Sequence, residues 1–126
     1  MVNEQKCLIS MKAVLNPSDI TLQAVQNNLY FELIVQLNKD LALSSIQKEF
    51  KNDIFPEFLV EELVGCLIDL INNSFQDYLN LLYRVDVSEN EVRKLAGLTQ
   101  EDLAISVAYL ILKREWRKVF FRNKYS

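Results

Sequence analysis

Apolar residues recur along most of this chain at steps of three and four, the spacing that lines one face of an α-helix. Cys7, Leu8, Met11, Val14 and Leu15 follow it until Asn16-Pro17 ends whatever they form, because the residue before a proline is pushed out of helical geometry. Ser18 or Asp19 then caps a helix whose apolar face is Leu22, Val25, Leu29, Leu33 and Leu37 and which runs to about Asn38. From Lys39 to Asn52 the chain is polar and poorly patterned, with room for one short helix around Ser45 to Phe50. Asp53-Ile54-Phe55-Pro56-Glu57 reads as a helix start: proline's missing N–H costs nothing in the first turn, and acids suit the positive end of the dipole. Leu59, Val60, Leu63, Val64, Leu67, Ile68 and Ile71 form the face of that helix. At Asn72-Asn73-Ser74 the pattern leaves two outcomes, one kinked helix over 56–84 or two helices, with Ser74 and Asp77 spaced as a cap for the second.

The C-terminal half has sharper punctuation. Ser88 and Glu91 have the spacing of a capping box, and Gly97 stands where a glycine ends a short helix. Thr99, followed by Gln100, Glu101 and Asp102, opens the last helix, with acids in its first turn and bases in its last. Its middle, Leu103 to Leu112, is apolar nearly all round, the mark of a helix enclosed by others. A run from Gln100 to about Arg122 is roughly 34 Å long, about the diameter of a compact domain of this size. The pattern therefore predicts an all-α fold: a small bundle of five to six helices around a long, centrally buried C-terminal helix.

Composition narrows this to a single domain. The chain has 126 residues, half of them hydrophobic, which is enough for a core without a metal or a disulfide. No repeat, low-complexity tract or linker divides it, so residues 1–126 are one helical domain with residues 1–17 as a flexible start. Only two glycines and two prolines are present, too few for a sheet sandwich full of tight turns. The two cysteines, Cys7 and Cys66, read as reduced thiols, Cys66 buried and inert within an apolar run. The first residues lack the pattern of a secretory signal, and Leu103 to Leu112 is half the length of a membrane span, so the expected location is cytoplasmic.

Charge adds an asymmetry. Residues 113–124 hold six bases against Glu115 and total +5, which leaves −8 for the rest of a chain whose net charge is −3. This segment, Lys113, Arg114, Trp116, Arg117, Lys118, Phe120, Phe121 and Arg122, is the candidate interaction surface. Interleaved bases and aromatics suit an acidic protein groove, phosphates or anionic lipid. Equally, Leu112, Trp116, Val119 and Phe120 continue a core face while the bases complement the negative helix end.

Catalytic chemistry finds little to stand on. With no histidine there is no Ser-His or Cys-His nucleophile and no histidine metal ligand, and two isolated glycines cannot build a phosphate loop. Asp86, Ser88 and Asn90 occupy the first, third and fifth places of a calcium loop, but Glu91 stands where glycine is needed and Gly97 where a glutamate is needed. Glu62 and Asp69 share a helical face as carboxylates on an acidic surface do, and Tyr83-Arg84 beside Asp86 reads as an ion-pair clasp. No catalytic residue, metal site or cofactor is expected.

Leu81-Leu82-Tyr83-Arg84-Val85-Asp86-Val87-Ser88-Glu89, the ending Ile111-Leu112-Lys113-Arg114-Glu115 and Leu37-Asn38-Lys39-Asp40 together resemble a family of small, uncharacterised all-helical bacterial proteins over roughly residues 27 to 120. The resemblance implies a helical fold and a cytoplasmic location, and no activity. The function expected is a non-enzymatic interaction or structural protein whose partner is a second copy or another protein, a homodimer being the simplest arrangement. The alternatives are a small-molecule binder or enzyme using carboxylates and tyrosines between helices, and an accessory held to membrane or nucleic acid by the basic end.

Overall fold

The computed structural model describes residues 15–125 and contains six helices over that range: α1 (Ser18–Gln26), α2 (Tyr30–Leu43), α3 (Pro56–Asn73), α4 (Phe75–Val85), α5 (Glu89–Arg93) and α6 (Gln100–Lys124). The apolar spacing from Cys7 to Val14 lies outside the described residues. The all-α bundle and its long last helix are as the pattern predicts. At 25 residues α6 is about 37 Å long, and it packs against α1, α2, α3 and α4. Ala104, Val107, Ala108, Ile111, Leu112 and Val119 are wholly buried along it. Enclosing one such leucine or isoleucine is worth about 1.5–3 kcal/mol. This axis, more than any surface pair, holds the bundle together.

Two local starts form where their sequence signals stand, at Thr99 and at Pro56. Thr99 is the N-cap of α6, its hydroxyl accepting from the Asp102 amide at 3.2 Å. Pro56 occupies the first turn of α3, whose Leu59, Leu63 and Leu67 are fully buried. The stretch 56–84 is two helices, parted at Ser74, whose non-helical backbone (φ −149°, ψ 59°) stops the ladder and whose side chain makes no cap bond.

Four expectations need correcting. The helix expected from Ser18 to Asn38 is broken at Asn27–Leu29: Asn28 adopts a left-handed φ of 57°, and the Leu29 amide reaches back to the Ala24 carbonyl at 2.9 Å. With the Asn28 amide donating to the Val25 carbonyl, this is the double bond pattern that closes a helix. The break changes the register, so Leu33 and Leu37 enter the core while Leu22 and Val25 face outward. Nor does Ser18 or Asp19 cap α1. The cap position is Pro17, and the Asn16 side chain accepts from the Ser18 amide at 3.0 Å.

The same left-handed closure ends α2 at Ser45 (φ 62°) and α4 at Asp86 (φ 71°). In consequence no short helix forms at Ser45–Phe50, where the chain runs without helical structure past α2. The Ser88–Glu91 capping box is also absent as a bonded unit: Ser88 is the N-cap of α5, but its side chain makes no cap bond.

Candidate functional site

The basic segment is divided by the fold. Trp116 is buried and Phe120 half-buried, while Phe121 remains 44% exposed. Trp116, Phe120, Phe121 and Tyr125 form a chain of ring contacts leading from the core to the surface, ending in a stacked pair 6.2 Å apart. Three of the bases are engaged within the chain. Arg114 donates to Asp86 at 3.1 Å, Lys118 to Asp40 at 3.1 Å and Arg122 to the Gln36 side-chain oxygen Oε1 at 3.1 Å. Lys113 leans toward the Tyr109 ring, and Arg117 is exposed. Much of the +5 charge is thus turned inward or along the surface of its own molecule. The expected Tyr83–Arg84–Asp86 clasp does not form, because the left-handed turn at Asp86 directs its carboxylate to Arg114 and leaves the Tyr83 ring 89% exposed.

A polar network that the sequence pattern gave no sign of lies between α2 and α6. Gln36 Nε2 donates to Asp40 Oδ2 at 3.1 Å, and Lys118 Nζ reaches the same oxygen. Lys118 Nζ also lies 3.0 Å from Glu115 Oε1. Glu115 is 0% exposed, Asp40 4% and Gln36 6%. Burial, followed by the hydrogen bond and charge of Asp40, pushes the Glu115 carboxyl up to about 9. Asp40 is held below the usual range: its burial opposes ionisation, but hydrogen bonds from Glu115, Gln36 and Lys118 outweigh it.

A surface that is polar toward α2 and apolar toward α5 is built by α2, α4 and α5. Leu43, Asn80 and Tyr83 line a shallow groove of about 230 Å³. Asn80 and Tyr83 also border a larger one of about 710 Å³, whose apolar lining includes Leu79, Val87 and Val92. The two grooves thus share Asn80 and the exposed Tyr83 in their linings. The closure of α4 shapes it: Val87 folds back so that its amide donates to the Leu82 carbonyl at 3.0 Å. The rim holds Arg84, Asp86, Glu89 and Arg93.

No protein-family model, curated protein or solved structure matches this chain.

A third feature is a polar cleft of about 530 Å³ between α3 and the segment after α2, which brings Glu62 and Asp69 together with Lys48 and Cys66. Lys48 pairs with Glu62 at 2.8 Å, and Asp69 accepts from the Asn73 side-chain Nδ2 at 2.8 Å. Cys66 is a free thiol, half-buried rather than enclosed as expected, because its helix position lies at the edge of the α3 core face and beside the bare Gly65. Among the described residues no group of three or more acidic or cysteine side chains is gathered as a metal site, and no helix is long and apolar enough to cross a membrane.

Proposed function

We propose that this chain is a non-enzymatic, cytoplasmic helical protein that works by binding protein, and that its partner on the α2–α4–α5 surface is a second copy of itself. The observation that carries the reading is Tyr83, 89% exposed in the lining of the larger, mainly apolar groove. Exposed apolar patches rimmed by polar residues mark interaction sites, and tyrosine is a frequent anchor within them. Self-association is favoured by shape and charge. A two-fold contact sets the same patch against itself, so a projecting ring beside a groove supplies both the knob and the hole. Two bases and two acids on the rim leave little net charge to repel a second copy. The C-terminal segment contributes less than its composition suggests, since Lys118, Arg114 and Arg122 already have partners in their own chain.

Sedimentation equilibrium over a concentration series tests this. The wild type is expected to dimerise, and Tyr83→Ser and Leu79→Ser to remain monomeric with unchanged helicity. A wild-type monomer at high micromolar concentration overturns self-association, and dimers unaffected by either substitution remove this surface from the interface.

A small-molecule site at the Lys48–Glu62–Cys66–Asp69 cleft is the second reading, favoured by its volume and by the convergence of charged groups. Thermal shifts across a panel of small cations, anions and metabolites test it, a specific stabilisation lost in Lys48→Met being the outcome in its favour.

A further inference from the structure

Two carboxyl groups and one ammonium meet where α2 packs on α6. Lys118 Nζ lies 3.1 Å from Asp40 and 3.0 Å from Glu115, so the two carboxyl oxygens are closer together than the sum of those distances. The charged and titratable groups at the pair are Asp40 of α2 and Glu115 and Lys118 of α6, with the Arg122 guanidinium set one residue away on the Gln36 side-chain oxygen. One cation cannot balance two ionised carboxylates in a site withdrawn from water, because the unmatched charge costs several kcal/mol. The hydrogen bonds say which is ionised. Asp40 accepts from Gln36 and from Lys118, and such bonds favour the charged form. Neither oxygen of Glu115 accepts a hydrogen bond, the Lys118 nitrogen being close enough to attract but out of line to donate. Protonated, Glu115 can act as a donor, and the neighbouring Asp40 carboxylate is the acceptor whose ionised form such a bond favours.

We propose that Asp40 and Glu115 hold a single proton between them, and that this pair with Lys118 is a pH-sensitive latch fixing the last turns of α6 against α2. Arg122 extends the latch by one turn, donating to the Gln36 amide oxygen while the other end of that amide donates to Asp40. Loss of the proton leaves two negative charges facing one lysine and weakens the grip on the segment that carries Phe121 and Tyr125.

The sign follows from proton counting. Glu115 binds its proton more tightly folded than unfolded, so its contribution is complete below the ordinary value of 4.5 and is lost as pH rises toward about 9. Asp40 acts oppositely, contributing above its ordinary 3.8 and losing that contribution as pH falls. Between these limits the folded chain carries one extra proton, and the unfolding equilibrium constant rises up to about tenfold per pH unit. The chain has no histidine, so no other side chain of ordinary affinity titrates from about pH 5.5 to 7.5.

The test is chemical denaturation of the full chain from pH 5.5 to 7.5, with the Glu115 carboxyl carbon followed by NMR. The wild type is expected to lose stability steadily across this window. Glu115→Gln, which copies the neutral form, is expected to abolish the slope, and Asp40→Asn to reduce it by letting Glu115 ionise beside Lys118. An unchanged slope in Glu115→Gln overturns the proposal. Where that variant fails to fold, the wild-type carbon decides: a Glu115 carboxyl that stays protonated through neutral pH supports the shared proton, and one titrating in the ordinary carboxylate range overturns it.

Discussion

Asn38 and Phe50 are joined twice: the side-chain amide of Asn38 donates to the Phe50 carbonyl at 2.9 Å, and its oxygen accepts from the Phe50 amide at 2.8 Å. The helix side chain thus satisfies both backbone groups of a residue outside any helix, and the Phe50 ring is pinned in the core. Asn38→Ala is expected to cost about 2–3 kcal/mol, since two partly buried backbone groups lose their partners. Denaturant unfolding measures the loss, and faster hydrogen exchange at the Phe50 amide localises it.

Ser45 ends α2 with a φ of 62°, a conformation that costs an ordinary L-residue roughly 1–2 kcal/mol and glycine almost nothing. Ser45→Gly should therefore raise stability by about 0.5–1 kcal/mol after the extra entropy of an unfolded glycine is counted. Gly97, at φ 93°, is the reverse case. Gly97→Ala should lower stability by about 1 kcal/mol or more. Midpoints of thermal unfolding for the pair should move in opposite directions.

Gly65 lies within α3, and a Cβ placed there meets no atom within 4 Å. Gly65→Ala is expected to stabilise the fold by about 0.5–1 kcal/mol through helix propensity alone. A loss of stability would show that the added methyl disturbs the packing around the cleft.

Burial pushes the Cys66 thiol up, and Asp69 adds to it, while Lys48 opposes both. Alkylation near pH 8, in a Cys7→Ser background, should be slower than that of a thiol in an unfolded peptide, because less thiolate is present. Lys48→Met should slow it further. Acceleration in that variant would show that Lys48 governs access rather than charge.

What the sequence alone determined is what short stretches of chain decide for themselves. The starts at Pro56 and Thr99 depend on backbone groups within one turn of each residue, and the Leu59–Leu63–Leu67 face depends only on helical periodicity. The all-α class and the enclosed last helix follow from the same local terms. The left-handed ends at Asn28, Ser45 and Asp86 escaped because glycine is the usual signal for such a turn and none is present there. The first of them also turns Leu22 and Val25 to the surface, although their spacing continues the apolar face. Glu115 is the clearest case of what tertiary structure decides. In the sequence it is one acid in a basic run; in the fold it is wholly buried and shares Lys118 with an aspartate 78 positions from that lysine. No local rule brings Asp40 to Glu115. Their meeting is set by how the apolar faces of α2 and α6 pack, and that packing is strong enough to carry a carboxyl group into the core and so decide where its proton resides.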